Sequence, residues 1–223
     1  MILAPTSAVK IAWRWLTLGL LLVQGCQSLP PAALAEKHLR RGNESLKAGR
    51  PEEAIAAYQR ALQADPKLPG AHTNLGNALR RAGQIDQAIL QYQEALRLAP
   101  HDSYARANLG SAYAERGELD LAIAEYQEAL RLTPNLALAH AGLGFLYADR
   151  GKLDLAITHY QEAARLVPDR PIIIHALAAL LEQAGRLADA LEQWERYLQL
   201  VPNAPDRQEV EWHIRHLRIS LKR

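Results

Sequence analysis

The sequence predicts an all-α protein, a solenoid of five helix-turn-helix units closed by one more helix, and three observations predict it. The tetrapeptide YQEA stands at Tyr92–Ala95, Tyr126–Ala129 and Tyr160–Ala163, so each copy begins 34 residues after the last. Extended both ways, that period meets Tyr58 and Trp194, and it brings Pro66, Pro100, Pro134, Pro168 and Pro202 into register. Proline cannot continue a helix, so it punctuates every unit at one place. Gly49, Gly83, Gly117, Gly151 and Gly185 fall about halfway through the units, where a residue tolerant of positive φ ends one helix before the next begins. Between these marks Ile85, Ala88, Ile89, Tyr92, Ala95 and Leu96 advance by threes and fours along one face. No segment alternates as a half-buried strand does.

Taken in order, the chain opens with Lys10 and Arg14 ahead of the uncharged run WLTLGLLLV, Trp15 to Val23. That run is shorter than the roughly 20 residues needed to span a bilayer as a helix, and it reads as a secretory signal over residues 1–25. It ends in Val23-Gln24-Gly25-Cys26, and Cys26 is the only cysteine, which excludes an internal disulfide. This segment resembles a bacterial lipoprotein signal, in which cleavage leaves cysteine as the lipid-bearing first residue; Gln24 stands where a small residue is commoner. The resemblance implies acylation of Cys26 and an anchor in the bacterial envelope facing the periplasm. The alternative is an uncleaved signal anchor or a cytoplasmic scaffold. Removing residues 1–25 leaves 24 basic against 24 acidic side chains, a balance that argues against nucleic acid, whose binders carry a basic excess.

Residues 26–34 are expected to form a short tether, reaching at most roughly 30 Å to Ala35 at about 3.3 Å per residue. The units follow at 35–68, 69–102, 103–136, 137–170 and 171–204. The eighth place of each is small (Gly42, Gly76, Gly110, Gly144, Ala178) and the twentieth is alanine (Ala54, Ala88, Ala122, Ala156, Ala190), which lets paired helices approach closely. Leu75, Leu109, Leu143 and Leu177 are expected to fill the space between pairs. Residues 205–223 place Val210, Ile214, Leu217 and Leu221 on one helical stripe, expected to cap the open end. Arg215, Arg218, Lys222 and Arg223 follow its last acid, Glu211, a placement favourable with the helix dipole and suited to anionic lipid.

The stretch NLGNALRRAGQIDQAILQYQEALRLAP, Asn74 to Pro100, resembles the tetratricopeptide repeat, and the resemblance extends over residues 35–204. Arg41, Ser45, Ala178 and Tyr197 depart from its pattern, in the terminal units where departures are expected. The resemblance implies a right-handed superhelix whose concave groove, lined by the first helix of each unit, binds peptides or protein segments. By matching places the groove carries Arg40, Asn43 and Lys47, then Asn74, Asn77, Arg80 and Arg81, then Asn108, Ser111 and Glu115. Asparagine amides both donate and accept, which suits an extended peptide backbone, and the alternative is that these asparagines are only the common residues of the repeat. Asn43, Asn74, Asn77 and Asn108 match the asparagines of the chaperone-binding members of the family. The basic places of that clamp hold Leu39 or Thr73, Tyr104 or Leu138, and Asn108 or Gly142, so chaperone binding is not predicted.

Units four and five turn apolar at these places, with Leu138, Phe145 and Ile172 as candidate anchors for a partner. The alternative is that these residues pack against one another or the final helix. His38, His72 and His140 share the fourth place and are expected to be core-facing packing residues. His213 and His216 do not complete a zinc site, and no HExxH, GxSxG or phosphate-binding glycine loop is present. The expectation is a non-enzymatic interaction scaffold without cofactor or metal, whose partners are proteins or peptides and, through a lipid anchor, a membrane. A second reading is an accessory module that positions a separate cell-wall or glycosyl-transfer enzyme.

Overall fold

The computed structural model describes residues 29–222. The expected signal, Lys10, Arg14, Cys26 and the last residue, Arg223, lie outside the described residues. Among the described residues the chain forms helices only, in five consecutive pairs and one extra. The pairs are α1 (Pro31–Lys47) with α2 (Pro51–Ala64), α3 (Pro69–Arg81) with α4 (Ile85–Leu98), and α5 (Ser103–Glu115) with α6 (Leu119–Leu132). Then come α7 (Ala137–Asp149) with α8 (Leu153–Leu166), α9 (Pro171–Gln183) with α10 (Leu187–Leu200), and the terminal α11 (Arg207–Ser220). Helix α1 starts at Pro31, so residues 31–34 are helical and rise by about 1.5 Å each instead of 3.3 Å.

Local chemistry accounts for the ends of these helices. Proline opens α1, α2, α3 and α9, where its missing N–H costs no helical hydrogen bond. Helix α5 is instead capped by Asp102, whose carboxylate accepts the N–H groups of Tyr104 and Ala105, both at 3.0 Å. The turn inside each unit rests on its glycine, with φ between 68° and 84° from Gly49 to Gly185. The residue after each glycine donates back across the turn, as Gln84 N–H does to the Leu79 carbonyl and Glu118 N–H to Tyr113, both at 2.9 Å. Alanine in place of Gly117 is expected to cost about 1 kcal/mol, because it must hold the left-handed conformation; a denaturant midpoint measures this.

Packing follows the small and large places of the repeat. Tyr58, Tyr92 and Tyr160 lay their rings directly on Gly42, Gly76 and Gly144, where a methyl group would collide with the ring. Tyr126 differs, since it also presses on Gly142 of the following unit. Leu75, Leu109, Leu143 and Leu177 are buried as expected. The core forms two clusters, one from Ala54 to Leu146 and one from Ala156 to Leu217, and Tyr147 packs against both. Helix α11 covers the end of the second cluster with Val210, Ile214 and Leu217. Leu221 does not join them: the helix ends at Ser220 and its side chain is exposed.

Candidate docking groove

The first helices of successive units touch one another, α1 with α3, α3 with α5 and α5 with α7, whereas the second helices mainly touch the first helix of the next unit. That asymmetry puts the first helices on the inner side of the curve. The residues predicted for the groove divide along it by chemistry.

At the amino-terminal end, Asn43, Lys47, Asn74 and Arg81 come together with Leu46 and Tyr58 around a cleft of about 200 Å³. Arg40 is exposed one turn away. Asn43 Oδ1 accepts from the Tyr58 hydroxyl at 2.7 Å and from Asn74 Nδ2 at 3.1 Å, and Arg81 donates to the Leu46 carbonyl at 3.1 Å. In unit two the Tyr92 hydroxyl donates to Asn77 Oδ1 at 2.7 Å, and in unit three Ser111 bonds the Tyr126 hydroxyl at 2.9 Å. The ninth place therefore has an internal task, to satisfy the tyrosine hydroxyl of its own unit. Sequence reasoning alone leaves open whether these side chains serve a ligand or only the repeat. Arg80 pairs with Glu115 across units two and three, and Asn108 is half-buried.

Burial pushes the Tyr58 and Tyr92 hydroxyls up to about 12, from an ordinary value of 10.0. The unfolded chain thus loses these protons first as pH rises, so their contribution to stability is complete below about pH 10 and falls away toward pH 12. The urea midpoint is expected to drop across that interval, and the Tyr58→Phe/Tyr92→Phe double variant is expected to flatten the drop.

The carboxy-terminal half of the groove is apolar and open. Leu138, Phe145 and Ile172 are 41%, 59% and 78% exposed, so they do not pack away against one another or against α11. Sequence reasoning missed Tyr104, which is 62% exposed and shares the second place with Leu138 and Ile172. The register itself was the available signal. Phe145 occupies the ninth place, where Asn43, Asn77 and Ser111 serve their tyrosines. It cannot bond the Tyr160 hydroxyl, and it presents a ring to water instead.

The histidines at the fourth place are not the core-facing packing residues expected. His72 is half-buried and bonds Gln91 at 2.8 Å and the Pro66 carbonyl at 3.1 Å; His140 bonds His159 at 3.0 Å and the Pro134 carbonyl at 2.9 Å. An imidazole tilted outward reaches the carbonyl that the preceding proline turn leaves unsatisfied, which a buried ring would not. His38 is likewise half-buried. At the far end His213 stacks on Trp194 and meets Glu182 at 2.9 Å, while His175 meets Asp206 at 3.2 Å, fastening α11 and the loop before it to unit five. Among the described residues no cluster of metal-ligating side chains is present.

Five helix pairs, repeated cores and an inner wall of changing polarity define a helical repeat scaffold built to dock other proteins. Family models confirm this: a tetratricopeptide repeat model matches residues 39–103 and 73–137, and a second TPR repeat model matches residues 146–185. The chain belongs to the tetratricopeptide repeat family. It is similar to the crystal structure of a thermophilic TPR protein from Thermus thermophilus, with 28% identity and a TM-score of 0.67 over 81% of this chain and 98% of that one. It shares its fold with Pseudomonas aeruginosa pilF, at 20% identity and a TM-score of 0.70 over 86% and 92% of the two chains. The same holds for PilW, at 22% identity and a TM-score of 0.72 over 82% and 85%. Comparison with curated proteins gives no match.

Proposed function

We propose that the groove docks an extended or helical segment of a partner protein, with a polar or acidic part over units one and two and an apolar anchor over units four and five. The exposed Phe145 carries this reading, because it stands where units one to three use a polar residue to satisfy a tyrosine. Lys47, Arg81 and Arg40 supply the positive charge at the other end, with Asn43 and Asn74 between them. The site of action is a bacterial membrane surface, reached through acylation of Cys26. The charge, length and cysteine position of the leader support that location. Among the described residues no helix is long and apolar enough to cross a membrane.

The task at that surface is assembly of an envelope complex. PilW, a protein of the same fold, is a type IV pilus biogenesis factor, and a tethered docking groove suits such work. The test is in-cell cross-linking of the native chain beside Cys26→Ser and Lys47→Ala/Arg81→Ala variants, with intact mass recorded. The native chain is expected to be lipidated and to capture envelope proteins that Cys26→Ser loses. The groove variant is expected to stay lipidated while losing capture at least tenfold, about 1.4 kcal/mol or more. Unlipidated protein that captures the same soluble partners in every form would overturn the membrane reading and leave a general scaffold.

A further inference from the structure

The terminal helix α11 carries two apolar stripes, one used by the fold and one left over. Val210, Ile214 and Leu217 face inward and are buried on unit five. Trp212 and Ile219 each stand two residues from a member of that stripe, a turn of about 200° around the helix, so they point the opposite way. They are 53% and 57% exposed. His216, also exposed, lies between them at helical spacing, and its ring stacks on Trp212 with centroids 5.3 Å apart and planes 4° from parallel. Among the described residues α10 is the helix that packs extensively on α11, and it does so from the inner side.

The charges beside the outer stripe are of one sign. Arg215 follows Trp212 by three residues and Lys222 follows Ile219 by three, so both neighbour the stripe, and both are exposed. Neither forms an ion pair among the described residues, whereas Arg218 pairs with Glu195 at 2.7 Å and Arg207 with Glu211 at 2.8 Å. The acids of α11 lie in its first turns: Glu211 is held by Arg207, and Glu209 lines a cavity with His175 and Trp194. An indole and an aliphatic group flanked by cations is the pattern of a helix lying in a lipid interface. The ring sits at headgroup depth, and the cationic heads reach phosphate while their stems cover acyl chains. Size points the same way. The 14 residues of α11 span about 21 Å, and a helix is roughly 10 Å across, so its outer side offers only about 200 Å², against about 800 Å² that a stable protein interface takes from each partner. A bilayer needs no matching shape.

We propose that the outer stripe of α11 rests on an anionic bilayer, with Trp212 and Ile219 entering the interface and Arg215 and Lys222 on headgroup phosphates. Helices α1 and α11 stand at opposite ends of the array. A chain tethered ahead of α1 is then held at both ends and lies along the membrane instead of standing out from it. This rests on the membrane location proposed above, but it uses neither Cys26 nor any residue of the groove.

The test mixes the full-length chain with vesicles of phosphatidylcholine, alone or rich in phosphatidylglycerol, whose brominated acyl chains quench tryptophan on contact. The difference between the native chain and Trp212→Phe isolates the Trp212 signal from the other tryptophans. Trp212 is expected to be quenched on the anionic vesicles and not on the neutral ones. Arg215→Gln and Lys222→Gln are each expected to lower the bound-to-free ratio of α11 by about a factor of five, the worth of one cation beside an anionic surface, and high salt acts in the same direction. Both positions are exposed, so the helical signal is expected to persist in these variants. Cosedimentation reports the amino-terminal anchor and quenching reports α11, so the two readings fail separately. A chain that pellets with both vesicles while Trp212 stays unquenched keeps the anchor and overturns the contact by α11. Quenching on anionic vesicles by a chain that leaves neutral ones alone supports the contact and removes the anchor. Equal quenching on both vesicles, or no loss in the two glutamine variants, overturns the proposal. So does a dimer, formed without vesicles and dispersed by Trp212→Ser/Ile219→Ser, which assigns the stripe to a second copy.

Discussion

Replacing Tyr92 by alanine is expected to lower unfolding stability by about 3–5 kcal/mol, the range for deleting a buried aromatic ring. Its ring is fully buried, lies against the glycine of its own first helix and bonds Asn77 through its hydroxyl at 2.7 Å. The substitution therefore opens a cavity and also strips the partner from a half-buried amide. Tyr92→Phe separates the two losses, because it keeps the ring and is expected to cost only about 1 kcal/mol. Urea denaturation followed by circular dichroism measures both; similar midpoints for the two variants would show that the ring contributes little. Repeat arrays can unfold in parts, so the slope of the transition is as informative as its midpoint.

Partner affinity is expected to fall at least tenfold in Phe145→Ala and again in Ile172→Ala, about 1.4 kcal/mol or more for each, while the fold is retained. Both side chains are exposed, so truncation leaves no cavity in either core cluster. The comparison requires the partner captured by the native protein and a binding titration with each variant. Tyr104→Ala, on the same row, belongs in the same series. Undiminished binding in the Phe145→Ala/Ile172→Ala double variant, with helicity intact, would remove the apolar anchor.

The fold was legible in the sequence because a 34-residue period forces each small place opposite the same large one. Gly76 facing Tyr92 and Gly144 facing Tyr160 follow from register alone. The site was less legible, since one residue can serve the repeat and a ligand at once. Asn43 and Asn77 look like peptide-binding amides, yet their oxygens accept from tyrosine hydroxyls whose direction only the packed helix pair fixes. Tyr104 escapes notice when it is weighed against a basic clamp place and not against Leu138 and Ile172 in its own row. The fourth-place histidines mislead for a related reason: register shows that a place is shared, but not whether its side chain leans toward the core or the preceding turn.

The looser packing between units than within them bears on how this array responds to load. Paired helices inside a unit touch more extensively than neighbouring units do, so bending is easiest at a junction such as that of α8 with α9. Phe145 precedes that seam and Ile172 follows it. A segment gripping both therefore splints the seam, exchanging some of its binding free energy for lost flexure of the array. Stiffness along the superhelix then becomes a signal of occupancy, read as slowed amide exchange in α8 and α10, which hold none of the bound residues.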